Sequence, residues 1–292
     1  MEGVWSMITA KNYAAQAEVA LINASKRYLS VGRKDQADYI GAFARGIRHG
    51  VKFVIPDGGL ILDDNLRGIM STPVRLPFEV TVIEFAVPHY PSKTDHYTMH
   101  KVVILCVEFG EDGDFKIHPM MYLMGAGQAF WIPCAYEAVV PFEDQLQLRE
   151  DGRVEFKATI IPSGALDDIT DKNKTRDVHT EVITKCIGSM YELLEALTCT
   201  NIEQSIYQQA SPKNAQRIKS HKAPIYETRC LTLKTTKKES FSSNGGLSHK
   251  SPKQHLRRGH IRRLEKGNIW VNSCVVGDAS NGIIDKHYRI KK

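Results

Sequence analysis

Lys101-Val102-Val103-Ile104-Leu105-Cys106-Val107-Glu108-Phe109 runs into Gly110-Glu111-Asp112-Gly113-Asp114 and leaves as Phe115-Lys116-Ile117. β-Branched and aromatic residues suit a pleated, partly buried surface, while glycine and aspartate suit the sharp turn between the two runs. The segment predicts an antiparallel hairpin. On its N-terminal side, residues 80–85 (Val-Thr-Val-Ile-Glu-Phe) read as a further strand, as do residues 51–55. Pro56-Asp57-Gly58-Gly59 reads as a turn, with Leu60-Ile61-Leu62 expected to return as the partner of residues 51–55. On the C-terminal side, residues 130–132 and 153–161 add strands, with Glu150-Asp151-Gly152 as a turn. Short strands joined by polar turns predict a twisted antiparallel sheet.

Helices flank this β region. Residues 12–29 carry apolar positions at Ala15, Val19, Ile22 and Leu29, and residues 35–48 carry Tyr39, Phe43 and Ile47, with Gly50 as the stop. Residues 178–197 hold the stripe Val182, Cys186, Met190, Leu193 and Leu197, suited to lie on a sheet face. Residues 201–209 read as another turn or two of helix opened by Asn201. The expected class is α+β: an antiparallel sheet with packed helices, plus a small basic C-terminal β-hairpin module. Residues 1–212 form an acidic body, 213–252 a basic linker with a strand near 225–233, and 253–292 the hairpin module. Within the linker, residues 237–253 read as a stretch without fixed structure of its own.

The 292 residues, 42% hydrophobic and 25% charged, supply a core and exclude wholesale disorder. No apolar run approaches the roughly 20 residues that span a bilayer. The N-terminus has no basic start followed by an apolar stretch, so a soluble protein of the bacterial cytoplasm is expected, without membrane contact. The six cysteines form no Cys-x-x-Cys pair and read as reduced, buried thiols. Asp57, Asp63, Asp64 and Glu84 are donors of the hard-cation type, and His89, Asp95, His96 and His100 of the zinc type. Both sets read as turn or loop polarity. Gly125-Ala126-Gly127 lacks the spacing of a dinucleotide loop and reads as a turn. The Met120, Met121 and Met124 cluster reads as core. No metal or cofactor is expected.

Charge is the sharper signal. Residues 213–292 hold nineteen Lys/Arg against five Asp/Glu, a balance of +14, which leaves −8 on residues 1–212. A chain polarised in this way engages a polyanion or an acidic surface through its basic end. The bland alternative is internal: the tail neutralises the acidic body, within one chain or in a homodimer. The densest stretch is His255-Leu256-Arg257-Arg258-Gly259-His260-Ile261-Arg262-Arg263. Arginine presents a planar fork of donors that matches phosphate oxygens in pairs. Residues 259–264 and 268–271 read as a hairpin around Glu265-Lys266-Gly267. On it His260 and Arg262 share one face, and Ile261 and Arg263 the other. Trp270, on the returning strand, is of a type that stacks on bases. The candidate nucleic-acid-binding set is His255, Arg257, Arg258, His260, Arg262, Arg263, Lys266 and Trp270.

The pattern His255-x-Arg257-Arg258-Gly259-His260, after a basic Ser251-Pro252-Lys253 and before a turn and an aromatic-bearing strand, resembles the C-terminal module of a phage- and plasmid-borne family that includes a type V-A anti-CRISPR protein. Weaker likeness extends to Leu76-Pro77-Phe78 and to Thr200-Asn201-Ile202-Glu203. Where that family often has Trp after the second histidine, this chain has Ile261. The resemblance implies a mobile-element protein with an α+β fold and no known cofactor. For the anti-CRISPR relative it implies lowering of the effector's messenger RNA during translation, with recognition of the nascent effector chain. The leading expectation is a non-enzymatic phage or prophage accessory protein that binds nucleic acid, RNA ahead of DNA, as an anti-defence regulator. Two alternatives stay open: a protein-binding inhibitor of a host defence or translation component, and a metal-independent ribonuclease using His255, His260, Arg258 and Glu265.

Overall fold

The structure, a computed structural model, describes residues 11–61, 73–89, 98–125, 128–148, 154–163, 172–234, 253–257, 260–265, 267–271, 274–276 and 278–283. The chain opens with α1 (Tyr13–Ser30) and α2 (Lys34–His49), then β1 (Val51–Val54), β2 (Val80–His89), β3 (Thr98–Phe109), β4 (Asp114–Gly125), β5 (Gln128–Pro133) and β6 (Tyr136–Val140). Next come β7 (Leu146–Leu148), β8 (Val154–Phe156), β9 (Thr159–Pro162), α3 (Lys172–Leu197), β10 (Ile202–Gln208), α4 (Asn214–Lys219) and β11 (Thr228–Leu233). The C-terminal strands are β12 (Lys253–Arg257), β13 (His260–Leu264), β14 (Gly267–Val271), β15 (Cys274–Val276) and β16 (Asp278–Ile283). The class is α+β.

Nine strands form one mixed sheet in the order β10-β11-β1-β2-β3-β4-β6-β9, with β5 also paired to β4. The hairpin expected from residues 101–117 is present, with Phe109 opposite Asp114 and Cys106 opposite Ile117. Alternation along β3 explains why residues 102–106 are apolar throughout. Val103 and Leu105 pack under the α1–α2 pair, and Val102, Ile104 and Cys106 under α3, so both sheet faces are covered. Met120 and Met121 likewise point to opposite cores. A three-residue connection turns α2 back on α1, with Gly32 at φ 78 donating its N–H to Leu29. Gly50 ends α2, its N–H reaching Gly46 at 2.9 Å. Gly46 is a packing requirement, since a Cβ there would lie 2.8 Å from Leu105 Cδ2.

Two elements depart from the sequence reading. The turn at residues 56–59 is present, but Leu60 and Ile61 do not return beside β1. Ile61 is buried in the α3-side core, and its N–H donates to the Glu192 carboxylate on α3. β1 is instead flanked by β2 and β11, both parallel to it. Residues 202–208 form strand β10 rather than helix, paired antiparallel with β11. Ile202 and Ile206, four apart, mimic a helical stripe, yet they are equally two steps of two along a strand. β11 brings the main sheet's sequence out to Leu233. The stretch expected at 237–253 lies, up to residue 252, outside the described residues. Among the described residues no helix is long and apolar enough to cross a membrane.

Candidate functional site

The candidate cationic residues fall on two small sheets. His255 and Arg257 lie on β12, which pairs with β15 (His255 opposite Val276, Arg257 opposite Cys274) and with β16. His260, Arg262 and Arg263 lie on β13, paired with β14 so that Ile261 faces Trp270 and Arg262 faces Ile269. Arg258 and Lys266 lie outside the described residues.

The β13–β14 hairpin is anchored to the body at the end of α3. Thr200 donates its N–H to the Asn268 carbonyl at 2.8 Å. Asn201 clamps Trp270 from both sides of its peptide: its Nδ2 donates to the Trp270 carbonyl at 2.7 Å, and its Oδ1 accepts the Trp270 N–H at 2.6 Å. Gly267, at φ 124, sits 3.1 Å below the Thr200 methyl at its would-be Cβ, where a side chain would be strained. Ile261 is 6% exposed and belongs to the α3-side core, and half-buried Trp270 packs against the same core. The indole expected to stack on bases is thus engaged as an anchor. The position after His260 is an inward-facing apolar one.

Arg262, one residue on from Ile261, takes the opposite strand face and is exposed. Among the described residues no carboxylate lies within ion-pair distance of it, and the contacts between hairpin and body are apolar packing and hydrogen bonds of backbone, amide and hydroxyl groups.

Three buried polar clusters were not anticipated. In the first, Glu18 of α1 is 2% exposed and takes Arg48 Nε at 2.7 Å and the Tyr226 hydroxyl. Lys52 of β1 lies beside them, its Nζ donating to the Arg48 and Gly50 carbonyls at 2.9 and 2.7 Å and lying 4.2 Å from the Tyr226 ring centre. Burial pushes the Lys52 ammonium down to about 8, against the pull of Glu18 and Glu84. Burial, with Glu18 next, pushes the Tyr226 phenol far up. The signal for this cluster was a lysine inside the apolar run Val51-Lys52-Phe53-Val54. Glu84, on β2, accepts the Ala14 N–H at 3.0 Å and closes the start of α1, whose own Asn12 makes no side-chain cap. Burial raises its carboxyl, with the Ala14, Lys11, Asn12 and Tyr13 backbone N–H groups opposing. Of the carboxylates of hard-cation type, Asp57 instead pairs with Lys11 and accepts the Ala86 N–H at 3.0 Å. Asp63, Asp64, Asp95 and His96 lie outside the described residues.

In the second cluster, Glu137 of β6 meets His118 Nδ1 at 2.9 Å and Lys116 Nζ at 3.4 Å. The Tyr39 hydroxyl lies 3.3 Å from both Glu137 Oε2 and Ser163 Oγ. Burial pushes the Glu137 carboxyl up, but His118 and Lys116 outweigh it and hold the group below its usual range. Burial pushes the Tyr39 phenol up. The result is an ionised carboxylate with both oxygens occupied, tying α2, β4 and β6 to the residue after β9. It offers neither an activated hydroxyl nor a free base.

The third is a Cys–His pair. His179 Nδ1 accepts the Ala135 N–H at 3.1 Å, which fixes the other ring nitrogen as the protonated one. The Cys134 thiol lies 3.4 Å from the same nitrogen and 3.5 Å from the His179 carbonyl. Burial pushes the Cys134 thiol up to about 11 and the His179 imidazole down, so both stay neutral. A nucleophilic pair would need the opposite shifts. Cys106, Cys134, Cys186, Cys199 and Cys230 are all buried free thiols.

Comparison of the chain with models of known families, with curated proteins and with solved structures finds no match.

Proposed function

We propose that the protein binds nucleic acid, RNA in preference to DNA, through its basic C-terminal strands. It serves as a non-enzymatic accessory protein of a mobile element that acts against host defence. The observation that carries this reading is Arg262: an exposed guanidinium without a carboxylate partner among the described residues, on a hairpin held to the body by its other face. It stands within a segment of charge +14. Among the described residues the contacts made by Ile261, Trp270 and Asn201 involve no carboxylate of the body, which leaves the Arg262 guanidinium for a polyanion to use. The anti-defence role rests on the resemblance of the His255–His260 pattern alone.

The test is affinity for single-stranded RNA and duplex DNA as a function of salt. The log–log slope should be about −0.7 per phosphate contact on single strands and about −0.9 on duplex. Arg262→Ala should weaken binding to every sequence and flatten the slope by nearly one contact. Absence of binding at low salt, or binding indifferent to Arg262, would sink the proposal.

A second reading, a protein-binding inhibitor, is favoured by the sheet edge. β10 is an outer strand, and Ile206 and Tyr207 on it are 50% and 41% exposed. Such an edge accepts an added strand from a partner. A partner retained from nuclease-treated lysate and lost on Ile206→Lys would favour it.

A further inference from the structure

The outer surface of the α1–α2 pair holds a cleft of about 320 Å³, lined by Ile22, Ser25 and Lys26 from α1 and by Gly41, Ala44, Arg45 and Arg48 from α2. This lies at the low end of the roughly 300–1,000 Å³ usual for small-molecule sites. Its charged lining is entirely cationic. Arg48 is partly satisfied, since its Nε is given to Glu18. Lys26 and Arg45 are exposed and have no carboxylate within ion-pair distance among the described residues. Ser25 gives its hydroxyl proton to the Ala37 carbonyl at 2.8 Å, so the guanidinium and ammonium groups are the donors that face the cleft. Cations brought together on two rigid helices repel one another until an anion joins them, and forked guanidinium donors match phosphate oxygens.

Gly41 gives the second, independent observation. It sits inside α2, where glycine weakens a helix. Close packing explains Gly46 but not Gly41. A Cβ at 41 would stand 3.4 Å from Arg45 Nη1 and 3.5 Å from Ser25 Oγ, both ordinary contact distances. Alanine would therefore fit sterically, and what it would fill is the cleft.

We infer that this cleft binds the phosphate group of a small phosphorylated ligand, with Lys26, Arg45 and Arg48 as donors and Gly41 keeping the floor open. The site is separate from the C-terminal strands and does not rest on the reading proposed for them.

The experiment is calorimetric titration of the full chain with inorganic pyrophosphate at low salt. Saturable binding is expected. Lys26→Glu combined with Arg45→Glu should weaken it at least about tenfold, as expected for loss of charge-assisted bonds to phosphate. Gly41→Ala should weaken it while leaving the melting temperature unchanged or higher, which separates a filled cleft from a damaged fold. Arg262→Glu should leave it unchanged. No saturable heat, equal affinity in the Lys26/Arg45 variant, or loss on Arg262→Glu overturns the assignment. So does an oligonucleotide without terminal phosphates that displaces pyrophosphate, because the cleft would then belong to a nucleic-acid backbone.

Discussion

Lys52 shows what a single side chain does to this fold. In the unfolded chain its ammonium keeps its proton to about 10.5, whereas in the folded protein it releases it near 8. Between those values the unfolded state binds more protons, so stability rises with pH across that window and is flat on either side. The rise amounts to about 3 kcal/mol at 1.36 kcal/mol per pH unit. Lys52→Met should lack it, as urea midpoints from pH 7 to 11 would reveal. Tyr226→Phe should cost about 1–3 kcal/mol, because it removes a donor from the buried Glu18 carboxylate. At Cys134 the expected chemistry is inertness: a thiol raised to about 11 should resist alkylation at pH 8 in the folded protein and react once unfolded. A fast native reaction at this position would contradict the neutral Cys–His pair. Lys52 and Glu84 were visible in the sequence as charges inside apolar strands. The Glu18–Tyr226 contact beside Lys52 was not, because those two residues are 208 apart along the chain.

Among the elements, α2, α3 and the β3–β4 hairpin follow from periodicity because each buries a continuous stripe or face, whereas α1 forms where expected but buries Ala14, Ala15, Ala17, Glu18 and Leu21 rather than the stripe ending at Leu29, which is 53% exposed. β10 did not, for a definite reason. It is an edge strand with the burial pattern Beeieei, so its alternation is nearly erased and its two isoleucines fit either period. The partners of β1 were illegible as well, since parallel pairing leaves no turn between the strands to read. The candidate site was legible as composition and as a hairpin, but not in its facing: Trp270 turned inward because Ile261, directly opposite it, belongs to the core. Asn201→Ala should loosen this attachment by about 1–3 kcal/mol, since it removes both bonds to the Trp270 peptide. Faster limited proteolysis within residues 260–271, with the far-ultraviolet spectrum intact, is the expected signature. On the opposite sheet face, under α1, Glu84→Leu should destabilise more than Glu84→Gln, because glutamine keeps an acceptor at the start of α1.

For the whole molecule, charge polarity and sheet topology do not divide the chain at the same place. The basic balance begins at residue 213, while the main sheet takes in β11 and ends at Leu233. A chain cut after residue 212 should fail to fold, since it leaves β1 without one neighbour and β10 without the one it has among the described residues. A chain cut after residue 233 should keep a cooperative thermal transition at a lowered midpoint, having lost Ile261 and Trp270 from the core margin. Circular dichroism melting of the two truncations distinguishes the cases.

The parallel seam between β1 and β11 also sets a clock on biosynthesis. Val51 leaves the ribosome 177 residues before Thr228, the first residue of the strand that covers its outer flank. At the roughly 5–20 residues per second of bacterial-to-eukaryotic elongation, that flank stays open for about 9–35 seconds on every nascent chain. Holdase chaperones and stray β-segments have that interval in which to compete for it, so yield in cells should respond to elongation speed between residues 51 and 228 more than to elongation speed beyond residue 228.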